Sequence, residues 1–162
     1  MKYTKPALAI LFGLLMSSAA FATAIEEKVV STKETASDIA LSQKHFKAVN
    51  ETDPKKREAL FEEVYDPNVH FASPHGVVDG RAALEKLFAE IHKESPGAVF
   101  QDIGEIETHH GVARIHWALI KSGVSGKLTG GDFIKIKDGK VTEVYIIVNG
   151  WTESGVKDRQ GK

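Results

Sequence analysis

Apolar residues recur with two rhythms along this chain. As far as Glu94 they fall mostly at helical spacing, and beyond Pro96 they mostly alternate with polar residues. From Ser37, Ile39, Leu41, Phe46 and Val49 form one stripe of a first helix that Ser37 or Thr35 can cap. Asp53 followed by Pro54 is an N-cap with proline at the first helical position, opening a second helix through Leu60, Phe61 and Val64 to about Asp66-Pro67. Asn68–Ser73 alternates and predicts a short strand, with a turn at Ser73-Pro74-His75-Gly76. Gly80-Arg81 then opens a third helix, Ala82–Lys93, whose apolar face is Leu84, Leu87, Phe88 and Ile91.

After Ser95-Pro96-Gly97 the pattern is sheet. Val99–Thr108 and Val112–Lys121 read as a hairpin about His110-Gly111, which sets Glu107 against Arg114, Gly104 against Trp117 and Asp102 against Leu119. Ser122–Lys127 is a glycine-containing connection. Leu128–Trp151 reads as a second hairpin with Asp138-Gly139 as its two-residue loop. Unbroken pairing from that loop sets Asp132 opposite Tyr145, Gly130 opposite Ile147 and Leu128 opposite Asn149, so that an acid, a phenol and an amide share a face. Val144, Ile146 and Val148 then fall on the other face. A strand apolar on both faces must be covered on both, and the expectation is a homodimer formed through the outer sheet. Helices followed by long antiparallel strands predict an α+β fold, with N-terminal helices packed on a curved sheet around a pocket.

The first two dozen residues change the picture of where such a domain works. Lys2 and Lys5 precede an apolar run, Ala7–Met16, and small residues ending in Ala22-Thr23-Ala24. That is the layout of a secretory leader, residues 1–24, cleaved after Ala22 or Ala24. The run is short of the roughly 20 residues a membrane span needs, so no span is expected after cleavage, and the expected location is periplasmic or secreted. Residues 25–36 read as a flexible lead-in, 37–152 as the domain and 153–162 as a polar tail. The chain of 162 residues has no cysteine, which excludes disulfides and thiol catalysis, and losing Lys2 and Lys5 moves its formal charge from −1 to −3. No basic patch points to nucleic acid.

Several stretches resemble the SnoaL-like branch of the NTF2-like superfamily, a cone-shaped α+β fold. They are Tyr65–Gly76, Gly80–Leu84, Ala113–Trp117, Gly131-Asp132-Phe133 and Lys137–Val141. The resemblance implies an NTF2-like cone whose helices pack on a strongly curved antiparallel or mixed sheet. It also implies a small apolar ligand and no cofactor, with isomerase, cyclase or hydratase chemistry in catalytic members and none in those that only bind or assemble. In the ketosteroid isomerases of this superfamily, the general-base Asp precedes a Pro after the first strand, where this chain has Ser73. Their oxyanion-holding Asp corresponds to Asp132, and their phenol donor falls near His45.

The candidate residues follow from both readings. Asp132 is the candidate acid or base, because burial raises a carboxyl pKa toward working pH; the plainer account is a structural Asp bonded to Tyr145 or a helix. His75, in the turn after the first strand, can supply the base that Ser73 lacks; a solvated turn histidine is the alternative. Trp117, Tyr145, Phe71, Asn149, His45 and Asp102 are expected to line the ligand site, against core filling for the aromatics and an edge position for Asp102. His109 and His110 point to opposite faces and make a poor chelating pair with His116, so no metal is expected. No nucleophile elbow, phosphate loop or dinucleotide fingerprint is present. The alternative to an enzyme is a binding or dimeric assembly module with a vestigial pocket.

Overall fold

The structure is a computed structural model that describes residues 32–121, 128–149, 151–152 and 155–156. The expected leader, the start of the expected lead-in, the Ser122–Lys127 connection and most of the tail lie outside the described residues. The first helix, α1, runs Thr32–Asn50, so Thr32–Ala36 are helical although a flexible lead-in was expected there. Helix α2 is Pro54–Val64, with Asp53 as its N-cap accepting from the Lys56 N–H at 2.9 Å. Strand β1 is Tyr65–Ser73, β2 is Gly76–Asp79 and helix α3 is Arg81–Glu94. The remaining strands are β3 (Ala98–Asp102), β4 (Glu107–His109), β5 (Val112–Lys121), β6 (Leu128–Lys137) and β7 (Lys140–Val148). A two-stranded ribbon, β8 (Trp151–Thr152) and β9 (Gly155–Val156), follows them.

Strands β1–β7 make one curved sheet in the order β2-β1-β7-β6-β5-β3, with β4 also on β5. It is mixed, because β1 runs parallel to β7, with Phe71 beside Val144 and Ala72 beside Tyr145. Among the described residues, three helices packed on this sheet make the α+β NTF2-like cone. Phe61, Leu84 and Phe88 of the helices close over Val69, Phe71, Ile115, Trp117, Ile134 and Val144 of the sheet in one apolar core. Burial of that surface is the main driving force for the fold. The Asn50 side chain ends α1 by pairing with the edge of β3: its Nδ2 donates to the Phe100 carbonyl at 2.7 Å, and its Oδ1 accepts the Phe100 N–H at 2.8 Å. A side chain thus satisfies an edge that would otherwise stay open.

The Asp138-Gly139 loop forms as expected, with φ of 51° and 73°, the left-handed pair that a tight hairpin turn requires. Lys137 faces Lys140 and Ile136 faces Val141, but the next pair is Lys135 with Glu143. Thr142 is left over as a β-bulge, and every later residue of β7 changes face. Asp132 therefore pairs with Ile146, and Tyr145 pairs with Phe133. The expected Asp132–Tyr145 pairing is corrected by this single residue. Val144, Ile146 and Val148 point to the helices, while Phe133, Tyr145 and Ile147 stand on the outer face, 42%, 43% and 58% exposed.

The other hairpin also departs from simple pairing. Glu107 faces Arg114 as expected, but pairing lapses over 103–106, and Asp102 faces Trp117 rather than Leu119. The glycine that makes room for the indole is Gly130 on β6, not Gly104.

Candidate active site

Helix α1 buries an unusual stripe. Asp38, Ser42 and His45 are all buried, one helical face shared with Val49. Asp38 accepts from Thr108 Oγ1 at 3.3 Å, and Ser42 Oγ is buried without a hydrogen-bond partner among the described residues. Within this stripe His45, 2% exposed, lies against the sheet beside Asp132, which is 4% exposed.

The two meet as a hydrogen-bonded pair, His45 Nε2 to Asp132 Oδ2 at 3.1 Å. Trp117 Nε1–H donates to the other carboxylate oxygen, Oδ1, at 2.7 Å. Behind the imidazole, the Tyr65 hydroxyl lies 2.7 Å from His45 Nδ1. Four buried side chains from α1, β1, β5 and β6 thus form one chain, Tyr65–His45–Asp132–Trp117. Burial, and after it the Asp132 charge, holds the Tyr65 phenol well above its ordinary value near 10. Tyr65 therefore keeps its proton and donates it to Nδ1. An imidazole with a single ring proton then carries it on Nε2 and donates it to Asp132. With the opposite tautomer, the phenol proton would have no acceptor among these groups.

This chain ends at a cavity of about 380 Å³ between the helices and the sheet. Its walls are largely apolar, among them Phe46, Phe71, Phe88, Phe100 and Ile146, and Asp132, His45 and Trp117 supply its buried polar edge. Ser73, His75 and Glu94 also line it, with His75 and Glu94 exposed to solvent, so they mark its mouth. Among the described residues, no group of three His, Asp or Glu side chains is placed to hold a metal ion.

Of the residues singled out from the sequence, Asp132, His45, Trp117, Phe71 and His75 line this cavity. Three do not. Tyr145 is on the outer face, where its hydroxyl donates to Glu143 Oε2 at 3.0 Å and its ring meets His70. Asn149 is exposed, with its Nδ2 donating to Thr129 Oγ1 at 2.9 Å. Asp102 is exposed at the end of β3, where pairing lapses. Tyr65 was missed, since the expected helix ran on to about Asp66-Pro67 and a tyrosine in its last turn reads as core. The helix instead ends at Val64, and Tyr65 opens β1. A signal for the buried polar group did exist: Asp38, Ser42 and His45 repeat at helical spacing between apolar neighbours.

The phenol makes a pH prediction. Its folded pKa lies above the unfolded value, so its share of stability is complete below about pH 10 and is lost as pH rises toward the folded value. The slope is about 1.4 kcal/mol per pH unit. Tyr65→Phe is expected to be less stable than the wild type at neutral pH, yet to lose less stability on going from pH 9 to about pH 11. Urea midpoints at both pH values measure this, and parallel declines in the two proteins would refute it.

The SnoaL-like domain family matches residues 42–144 of the chain. Among solved structures, a proposed isomerase of the SnoaL-like family from Agrobacterium tumefaciens is similar at 21% identity and a TM-score of 0.67, covering 71% of this chain and 99% of that one. A proposed SnoaL-like polyketide cyclase from Jannaschia sp. is 14% identical with a TM-score of 0.60, over 75% of this chain and 91% of its own. A proposed ketosteroid isomerase from Kribbella flavida is 20% identical with a TM-score of 0.56, over 70% and 78%. These structural likenesses establish the fold. No protein with a curated description matches the chain.

Proposed function

The chain belongs to the SnoaL-like domain family, and from that premise we propose that it binds a small, largely apolar molecule in the cavity and performs cofactor-free acid–base chemistry on it. One observation carries this reading: a buried carboxylate, held by two N–H donors, forms the polar edge of an otherwise apolar cavity. Asp132 is the proton acceptor, His45 and Trp117 orient it, and Tyr65 fixes the tautomer of His45. Ser73 carries no carboxylate, so Asp132 is the one buried acid lining the cavity, where ketosteroid isomerases use two. The reaction is of isomerase, cyclase or hydratase type, in line with the activities proposed for the Agrobacterium and Jannaschia proteins.

The first requirement is a site. The fluorescence of N-phenyl-1-naphthylamine is expected to rise saturably with one site per chain. Ile146→Trp, which fills the cavity beside Asp132, should abolish that rise. Absence of saturable binding by the wild type would sink the reading.

The same reading has the protein exported, and dimeric through Phe133, Tyr145 and Ile147 on the outer sheet face. Covering those three side chains is favourable at roughly 25 cal/mol per Å² of apolar area. Intact mass and sedimentation of the secreted protein test both points. The expected species is a dimer of chains that have lost residues 1–22 or 1–24. A monomer at micromolar concentration, or an uncleaved chain, would count against the corresponding part.

A further inference from the structure

The polar edge of the cavity has an unequal supply of donors and acceptors. Both ring nitrogens of His45 are engaged, one by Tyr65 and one by Asp132. The indole N–H of Trp117 is spent on Asp132 Oδ1. Neither residue has a donor left to offer a ligand. Each Asp132 oxygen accepts one N–H and retains a second lone pair, since a carboxylate has about four acceptor sites in all. The buried part of the site therefore offers acceptors alone. A different protonation state of His45 does not change this, because its two nitrogens still face Tyr65 and Asp132.

Charge points the same way. The residues lining the cavity include two carboxylates, Asp132 and Glu94, and neither Lys nor Arg. An anionic ligand group would be brought out of water beside a buried carboxylate, which is strongly unfavourable. A ligand carbonyl or ether oxygen would meet an acceptor and be left unpaired itself.

We propose that the cavity selects ligands by a hydrogen-bond donor, a phenol, alcohol or amine on an apolar body, which Asp132 accepts. Carboxylates and ligands with only a carbonyl or ether are disfavoured. This rests on the reading of the cavity as a ligand site, and it narrows the chemistry: proton transfer starts from the O–H or N–H that meets Asp132. The proton passes to the carboxylate, and the ligand oxygen or nitrogen keeps the bonding electron pair.

The test is a set of probes sharing one bicyclic body: 2-naphthol, 2-methoxynaphthalene, naphthalene and 2-naphthoate. Titration calorimetry against the wild type is expected to show 2-naphthol binding about tenfold or more tighter than 2-methoxynaphthalene and naphthalene, the scale of a hydrogen bond to a charged acceptor. The carboxylate should bind weakest. In Asp132→Asn, Oδ1 still takes the indole N–H, while the amide nitrogen gives one N–H to His45 and turns the other toward the cavity. The preference for 2-naphthol over its methyl ether should then collapse or reverse. Equal binding of 2-naphthol and 2-methoxynaphthalene by the wild type overturns donor selection alone, and so does tightest binding of 2-naphthoate. Failure of all four to bind, together with failure of N-phenyl-1-naphthylamine, overturns the cavity reading beneath it. The wild-type series decides the question even if the variant fails to fold.

Discussion

Asp132→Ala is expected to lower the unfolding free energy by about 2–6 kcal/mol, because it leaves two buried donors, Trp117 Nε1–H and His45 Nε2–H, without acceptors at about 1–3 kcal/mol each. Two effects pull the value toward the lower half of that range. Removing a buried carboxylate also removes its desolvation cost. The space it vacates adjoins the cavity, so water can enter and accept from the orphaned donors. Asp132→Asn is expected to cost less, about 1–3 kcal/mol, the penalty for one orphaned donor. Its Oδ1 keeps the indole bond, but its amide group now faces His45. The imidazole must shift its proton to Nδ1, and the Tyr65 hydroxyl is then left without an acceptor. Urea denaturation of the two variants beside the wild type checks the order. A loss below about 1 kcal/mol for Asp132→Ala would mean that the four-residue chain contributes little to the fold.

The second large effect is steric. A Cβ placed on Gly130 would lie 2.6 Å from the Ile147 carbonyl oxygen and 2.8 Å from Cε2 of the Trp117 indole. Neither can give way easily, one being backbone in the sheet and the other a buried ring bonded to Asp132. Gly130→Ala is expected to destabilise by about 1–3 kcal/mol, the usual cost of overpacking, and Gly130→Val by more. The adjacent Gly131 supplies the control. Its added Cβ would have 3.5 Å to the Ile115 carbonyl oxygen, an ordinary contact, so Gly131→Ala should be neutral or mildly stabilising. In a Trp151→Phe background, near-ultraviolet circular dichroism reports on Trp117 by itself, and only the Gly130 substitutions should alter it. Equal stability of Gly130→Ala and Gly131→Ala would contradict this account of why β6 carries glycine at 130.

Gly130 also shows how far the sequence could be read. A glycine opposite the Trp117 indole was legible as a need. Which glycine met it was not, because β5 has a neighbour on each side and pairing lapses over 103–106 on the β3–β4 side. Tyr145 shows the same limit. It shared a face with Asp132 for as long as alternation ran unbroken from the loop. The bulge at Thr142, which no turn residue announces, moved it to the outer face. Asp102 was placed inside by a pairing with Leu119 that does not form; it faces Trp117 at the exposed end of β3. His45 was reached through the resemblance, while the helical repeat of Asp38, Ser42 and His45 was available and marks the polar side of α1.

What the sequence determined by itself is the order and kind of the elements. The Asp53-Pro54 cap, the apolar face of Ala82–Lys93 and the Asp138-Gly139 turn act over a few residues, and such preferences are set by local sterics and capping. The bulge that re-aims β7, and the union of Tyr65, His45, Asp132 and Trp117, were decided only in the tertiary structure. His45 and Asp132 stand 87 positions apart, and no local preference acts over that distance. They meet because α1 must bury its inner face on the sheet, and a carboxylate buried there must find donors.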